Sequence, residues 1–502
     1  MQACTPRTVE ERGRRWLAVG VLLVVVALVR NAPGLDTTLL LAVDEDGQAP
    51  WGSARTVDPL ASDPDSSTSL SQAAWIDPLG LGLLGVRLVG VASLSLLAWG
   101  LGSLPRWRDP EAAWSPWLAS IVLLHPGMLF AVGRGYSEPL GAVLGGVMLL
   151  VTVHPALAKR PLAQRAPITV VVGTAAASAL LALKGLNPAL ALGWGLLLLL
   201  WFAAKAAGGG KGNLAAAHPL GRLLIIAFLC GVMYTGMLGP GSVSDAIEMG
   251  VWWVYVPFAV FDLFGLYLLL GAGLWAFLGT ASTPSGRREG GSMLLVIATL
   301  LGGLSAYVAA LWAVEGQAWN LAWWKTMVVL GNNGRHGLVL LPAALWAAVQ
   351  LRGDAPLPTE RINLAFVLIF PLAVLAAAHG QTLWTDEAAE AALPYLEEGD
   401  DLLLIHNPTL AVHWLYSMHP VLSVEGPEGL VGHWRAPDAG WEDELFNGSV
   451  LPNRGDLSSV AVVVVAPDLD VALEGWVEVD AGDAPWMNGG GTWRILVPAA
   501  NP

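Results

Sequence analysis

Long apolar segments separated by short polar ones recur along the chain up to about residue 379. Each segment holds about 17–25 mostly apolar residues, enough for a helix to cross a hydrocarbon layer about 30 Å thick. The alternating pattern of a membrane barrel is absent, so each segment is predicted to span as an α-helix. About eleven spans are predicted, with approximate bounds 16–32, 79–101, 115–132, 138–153, 167–183, 187–204, 222–239, 254–279, 292–314, 335–351 and 362–379.

Residues 380–502 show a different pattern, in which short apolar runs alternate with helical ones. This alternation predicts an α/β domain with a small, partly parallel sheet. The predicted helices are Glu387–Leu396 and Leu410–Met418, and the predicted strands are Asp401–Ile405, Pro420–Val424, Val460–Val465 and Trp493–Val497.

Composition separates the same two parts of the chain. Hydrophobic residues make up 55% and charged residues 13%, as in a membrane protein. The net charge of −14 is unevenly distributed: residues 1–379 hold 23 Lys and Arg against 20 Asp and Glu, whereas residues 380–502 hold 3 against 20. A tail of net charge −17 is predicted to be a separate soluble domain, and it argues against binding nucleic acid or an anionic lipid surface.

Basic residues predict the orientation in a plasma membrane. With the N-terminus inside, sixteen Lys and Arg fall in cytoplasmic segments and six in outer segments, as the positive-inside rule requires. An odd number of spans then places the acidic tail outside the cytoplasm. The first span is predicted to be retained, with a cleaved signal peptide as the alternative.

Several polar groups stand out against this apolar background. The long outer loop 33–78 contains the acidic cluster Asp44-Glu45-Asp46, and loops of this length are usually functional or disordered. Two lone charges, Arg87 and Asp262, lie inside predicted spans, where they are expected to face other helices or to pair with an opposite charge. A very short outer turn carries Arg134, Tyr136 and Glu138. The alternative for this turn is a plain interhelical connection, with Glu138 favoured by the dipole of the next helix.

Three features, taken in order, resemble the GT-C superfamily of integral membrane glycosyltransferases. These enzymes include the lipid A aminoarabinose transferases, the protein O-mannosyltransferases and the mannosyltransferases of glycolipid anchor assembly. The features are the acid pair Asp44-Glu45, the second span around Gly85–Leu97, and a turn containing Pro126, Phe130, Arg134, Tyr136, Ser137, Glu138 and Leu140. They cover about residues 16–153.

The resemblance implies a GT-C-like fold and transfer of a sugar from a polyprenyl-phosphate donor to an extracytoplasmic protein, lipid or glycan. A carboxylate of the first outer loop would be the general base for the acceptor hydroxyl, or would bind a metal. Carried over to this chain, the base is Asp44, with Glu45 next and Asp46 third. Asp44 and Asp46 have the spacing of a metal-binding pair, but two carboxylates are an incomplete Mg²⁺ or Mn²⁺ site. A divalent metal therefore stays an open alternative.

The leaving group of such a reaction is a lipid phosphate, which cations on the outer face would bind. The candidates are Arg134, Lys325 and Arg335, with His336 as a further donor, while Tyr136 and Glu138 would line the acceptor side. For Lys325 and Arg335 the alternative is ordinary anchoring at the interface. A different class of function is a lipid or polysaccharide transporter or a non-catalytic assembly subunit. A transporter should show inverted repeats with paired broken helices, and the sequence shows no such symmetry.

Overall fold

The structure is a computed structural model. It describes residues 6–34, 37, 77–183, 188–207, 252–280, 293–294, 297–298, 300–306, 308–309, 312–313, 322–324, 331–380, 383–406, 411–427, 430–437, 440–441, 445, 457–485 and 490–499. The chain divides into two compact units. The first, here called the membrane unit, contains residues 1–31, 84–313 and 331–379, and the second contains residues 32–83, 314–330 and 380–502.

Helices dominate the membrane unit. The α-helices with defined bounds among the described residues of this unit are α1 (Pro6–Arg30), α2 (Leu83–Gly102), α3 (Leu104–Arg108), α4 (Pro116–Leu123), α5 (Pro126–Arg134), α6 (Glu138–Val153), α7 (Pro155–Ala158), α8 (Leu162–Leu183), α9 (Ala191–Ala207), α10 (Trp252–Val260), α11 (Leu341–Arg352) and α12 (Thr359–Ala377). A π-helix occupies Phe261–Gly271, and 3₁₀ helices occupy Pro188–Leu190, Leu274–Phe277 and Gly331–Leu340.

Five helical stretches of the described residues are long and apolar enough to cross a membrane, or six if the bent pair α4–α5 is one span. The protein is thus a helical membrane protein, as the sequence predicts. The predicted total of about eleven spans stays a prediction, and the predicted span 222–239 lies outside the described residues. The predicted span 335–351 begins as a 3₁₀ helix and becomes α-helical only at Leu341.

A bend of 53° separates α4 from α5 within one predicted span. Pro126 begins α5, where its missing N–H is not needed, and His125 caps the helix by accepting the N–H of Gly127 on Nδ1 at 3.0 Å. Because Nδ1 is the acceptor, Nε2 carries the proton and donates to the carbonyl of Tyr267 at 2.8 Å. The bend is therefore fixed to the π-helix by a hydrogen bond.

The π-helix directly continues α10 inside one apolar stretch. Its hydrogen bonds join residues five apart, as between the N–H of Ala272 and the carbonyl of Tyr267 at 3.1 Å. Residues five apart consequently share a face of this helix, which places Asp262 and Tyr267 on the same side.

The lone arginine of α2 binds two backbone carbonyls at helix ends. Arg87 donates to the carbonyl of Asn31 at 2.6 Å and to that of Gly133 at 3.1 Å, close to where α1 and α5 end. Helix C-termini carry unpaired carbonyls and partial negative charge, which a cation stabilises. Asn31 in turn donates to the carbonyl of Ala376 in α12 at 3.1 Å. Four helices thus meet at one polar junction.

The second unit contains a five-stranded sheet. Its strands are β1 (Asp401–Ile405), β2 (Val431–Arg435), β3 (Val460–Val465), β4 (Trp476–Asp483) and β5 (Thr492–Pro498), in the order β2-β1-β3-β5-β4. The pairs β1–β2 and β1–β3 are parallel, and β3–β5 and β4–β5 are antiparallel. The prediction of a partly parallel sheet is confirmed.

Both faces of this sheet are covered. Leu402 and Leu404 point into one apolar cluster with Trp414 of helix α14 (Ala411–Glu425), and Leu403 and Ile405 point into another with Trp441. Such two-sided burial explains why β1 and β3 are nearly continuous apolar runs.

The structure of the tail overturns one prediction, adds two strands and shifts the bounds of one helix. The predicted strand Pro420–Val424 is wrong, because these residues belong to α14, and a short apolar run does not distinguish strand from helix. Strands β2 and β4 were not predicted; β4 is an edge strand whose acidic positions hide the alternation. The predicted helix Glu387–Leu396 begins earlier, as α13 (Trp384–Ala392) followed by a 3₁₀ turn.

Candidate functional site

The turn between α5 and α6 places three predicted site residues together. Helix α5 ends after Arg134 at Gly135, whose φ of +77° is the left-handed conformation that glycine adopts without strain. Glu138 begins α6 three residues later, with Pro139 in the first turn, so the helix dipole favours its negative charge. The short connection leaves Arg134, Tyr136 and Glu138 within one turn of chain.

A second segment brings two more predicted residues to the same place. Nε of Arg335 lies 3.2 Å from Oε1 of Glu138, and the side chains are 9% and 3% exposed. Nδ1 of His336 lies 3.8 Å from the same oxygen. The Arg335 guanidinium also covers the ring of Tyr136, with Cζ 4.0 Å from the ring centroid. Four residues predicted from separate parts of the sequence are therefore in contact.

Arg134 is connected to this cluster by contacts with aromatic rings. Its Cζ lies 5.0 Å from the centroid of Phe130, and the rings of Phe130 and Tyr136 are 6.0 Å apart. The two rings thus lie between two guanidinium groups, Arg134 on one side and Arg335 on the other. A guanidinium over an aromatic face is stabilised by the ring quadrupole, more strongly where water is excluded. Arg134 is 3% exposed, so both cations are buried.

His379 packs at the edge of this arrangement, just beyond the end of α12. Its ring centroid is 6.1 Å from that of Phe130. Burial lowers the pKa of His379, and the positive charge of Arg134 lowers that pKa further. The imidazole is consequently neutral at pH 7 and adds no positive charge to that of Arg134.

Behind Arg335 the π-helix contributes a buried carboxylate. Oδ2 of Asp262 accepts the backbone N–H of Gly334 at 2.8 Å, and Asp262 is 4% exposed. A Cβ at Gly334 would stand 2.6 Å from the Tyr267 ring and 2.7 Å from Cγ of Asp262, so only glycine fits here. From the sequence, Asp262 was predicted only to be a lone charge inside a span. Its contact with the segment that carries Arg335 could not be predicted.

The remaining candidates lie outside the described residues. These are the acidic cluster Asp44-Glu45-Asp46 and Lys325, so their catalytic, metal-binding and phosphate-binding roles stay predictions. In the part of the chain that the structure describes, no group of three or more His, Cys, Asp or Glu is arranged to hold a metal ion.

Comparison with known proteins gives structural neighbours only. No family model matches the chain, and no curated protein matches it. Among solved structures the chain is similar to ArnT from Cupriavidus metallidurans in the apo state, with 15% identity and a TM-score of 0.39, covering 97% of this chain and 98% of that one. It is also similar to ArnT from the same organism bound to undecaprenyl phosphate, with 17% identity, a TM-score of 0.42 and the same coverage. Both neighbours are structures of ArnT, an aminoarabinose transferase.

Proposed function

We propose that this protein is a membrane glycosyltransferase that transfers a sugar from a polyprenyl-phosphate donor to an extracytoplasmic protein, lipid or glycan. The observation that carries the proposal is the buried cluster of Arg335, Glu138, Tyr136 and Arg134. Ionisable side chains are costly to bury, so their assembly from two distant segments points to a function.

The two arginines would bind the phosphate of the donor. A guanidinium offers planar, bidentate donors to phosphate oxygens, and exclusion of water strengthens the interaction. In the structure Arg335 is paired with Glu138, which keeps the cation from being buried alone. Arg335 is thereby held in place before a donor arrives, which lowers the entropy lost on binding.

The acidic cluster would supply the general base. Glycosyl transfer passes through an oxocarbenium-like transition state, so it needs a base for the incoming hydroxyl and charge stabilisation for the leaving group. Asp44 is our first choice, followed by Glu45 and Asp46, from the resemblance to the GT-C superfamily. Glu138 and Tyr136 would line the acceptor side. If a divalent metal binds, as the family resemblance allows, Asp44 and Asp46 would hold it.

We further propose that the N-terminus is cytoplasmic and that residues 380–502 form a separate extracytoplasmic domain. The supporting observations are the distribution of basic residues and the net charge of −17 in these residues. The two-sided core of the sheet fits a domain that folds by itself.

Sugar transfer by the purified protein in lipid nanodiscs tests the proposal, with a panel of polyprenyl-phosphate sugars as donors. Wild type is compared with Asp44→Asn, Asp46→Asn and Arg335→Gln. The matched control is Arg165→Gln. Arg165 is also buried, in α8, but it donates to the carbonyl of Thr152. Thr152 is at the other end of α6 from Glu138, about 21 Å along the helix.

We expect transfer with at least one donor, a loss of about tenfold or more in Arg335→Gln, and near-normal activity in Arg165→Gln. Loss of transfer in one of the two aspartate variants identifies the base. Full activity of both would remove the catalytic role of these two residues. Vectorial movement of lipid across the membrane without any transfer would favour a transporter instead.

A further inference from the structure

We infer that Asp262 is a positioning residue that sets Arg335 in place for the donor phosphate, acting through the backbone of Gly334. The inference rests on the proposed function, in which Arg335 binds that phosphate. Asp262 lies in the π-helix, 72 residues from Gly334 in sequence, and its carboxylate accepts the Gly334 N–H at 2.8 Å.

The contact is next to the functional side chain. Gly334 directly precedes Arg335, so the hydrogen bond to the Gly334 N–H anchors the backbone one residue before the Cα from which the guanidinium extends. The 3₁₀ helix that carries both residues has poorer hydrogen-bond geometry than an α-helix, so an external anchor matters more there. Arg335 must meet Glu138 and Tyr136 at the same time, which leaves little freedom for its backbone.

Close packing reinforces the hydrogen bond. The absence of a side chain at Gly334 lets the Tyr267 ring and the Asp262 carboxyl approach together, and both come from the same face of the π-helix. The π-helix therefore contributes both contacts that hold Gly334.

The same π-helix also holds the other arginine's helix. The carbonyl of Tyr267 accepts from Nε2 of His125, which caps α5, and α5 ends with Arg134. One helix thus fixes the start of α5 and the segment before Arg335. This arrangement couples the positions of the two guanidinium groups that would share a phosphate.

Two replacements of Asp262 distinguish the effect of its hydrogen bond from the effect of its negative charge. Within the described residues the second carboxylate oxygen, Oδ1, makes no hydrogen bond, so Asp262→Ala removes the Gly334 contact and no other hydrogen bond seen there. Asp262→Asn keeps an amide oxygen that can accept the same N–H but removes the negative charge. Gly334→Ala keeps the carboxylate but forces it and Tyr267 apart.

The experiment measures the dissociation constant of a polyprenyl phosphate for the full chain in nanodiscs. Asp262→Ala and Gly334→Ala should weaken binding about tenfold, whereas Asp262→Asn should stay within about twofold of wild type. In an Arg335→Gln background the effect of Asp262→Ala should disappear, because a positioning residue acts only through its target. A general structural loss would persist in that background.

Two control variants calibrate the result. Thr169→Val removes a buried hydrogen bond to the carbonyl of Val151 elsewhere in the membrane unit, and Gly100→Ala adds a methyl group where nothing lies within 4 Å. Both should bind like wild type. Equal binding by wild type and Asp262→Ala overturns the inference, as does equal weakening by Asp262→Asn and Asp262→Ala, which would assign the effect to charge.

Failure of the proposed function gives a different result, because wild type would then bind no polyprenyl phosphate. The positioning role is in that case judged from unfolding in a denaturing detergent. Coupling between Asp262→Ala and Arg335→Gln in the unfolding midpoint supports the contact, and additive effects overturn it.

Discussion

The guanidinium of Arg335 lies over the ring of Tyr136, with 4.0 Å between Cζ and the ring centroid. Because the ring of Tyr136 also neighbours Phe130, which Arg134 covers, loss of the ring removes the contact surface between two buried cations. Tyr136→Leu should lower the free energy of unfolding by about 0.5–2 kcal/mol, the range of cation–π contacts. Unfolding by a denaturing detergent measures the change.

Tyr136→Phe is the matched comparison, since it keeps the ring and removes only the hydroxyl. Trp99→Leu, which removes a lipid-facing aromatic ring that is 63% exposed, controls for the loss of an aromatic side chain as such. If Tyr136→Leu and Tyr136→Phe unfold alike, the ring does not stabilise the cation.

The ion pair of Arg335 and Glu138 should behave as a buried unit. Either single replacement by leucine removes one member of the buried pair and keeps the other, which costs about 3–5 kcal/mol. The double replacement should be more stable than either single variant, because neither charge of the pair then remains buried. A double-mutant cycle on detergent unfolding measures this coupling, and additive effects would show that the pair does not act as a unit.

Close packing of α1 against α5 makes Gly133 sensitive to a single methyl group. A Cβ there would clash with Nδ2 of Asn31 and would stand 2.8 Å from the carbonyl oxygen of Ala27. Gly133→Ala should therefore destabilise the protein by about 1–3 kcal/mol, as overpacking usually does. At Gly146, where the nearest atom would be 3.7 Å away, the same change should be neutral or stabilising.

Acidification should destabilise the protein through His379. Its folded-state pKa is lowered, so below the ordinary histidine value near 6.5 the unfolded chain binds more protons than the folded one. Stability attributable to His379 is thus full above that pH and falls as the pH decreases toward the folded pKa. Melting temperatures measured between pH 7.5 and 5 give the dependence of stability on pH, and His379→Gln should make this dependence weaker. An unchanged dependence in that variant would show that other groups cause it.

Cysteine labelling tests the proposed orientation. The native Cys4 and Cys230 are first replaced by serine, and single cysteines are then introduced at two exposed sites, Glu398 and Asp109. A membrane-impermeant maleimide added to intact cells should label Glu398→Cys, and it should label Asp109→Cys only after permeabilisation. The reverse pattern would place the tail in the cytoplasm.

Sequence patterns predicted the elements with strong local signals. Within the described residues, five or six of the predicted apolar segments correspond to helices long enough to span, and the runs Asp401–Ile405 and Val460–Val465 are strands, because long apolar runs and β-branched residues have strong local preferences. The sequence also selected Arg134, Tyr136, Glu138, Arg335 and His336, since charged and aromatic residues at span ends are conspicuous.

Contacts between distant segments could not be predicted in the same way. Nothing local in Asp262 or Gly334 indicates that they meet, because their hydrogen bond depends on how two helices pack. The identification of Pro420–Val424 as a strand failed for a related reason, since only packing on the sheet shows that this run continues a helix.

The π-helix makes the arrangement depend on the hydrogen-bonding pattern of the backbone as well as on the side chains. Asp262 and Tyr267 both lie next to Gly334 because the wider turns of a π-helix bring residues five apart nearly into line, whereas in an α-helix the same spacing would separate them by about 140°. Conversion of this segment to an α-helix, with the sequence unchanged, would therefore rotate one of the two away from Gly334, with every functional side chain still present. A relative that carries both residues at this spacing must therefore also form the π-helix to make both contacts.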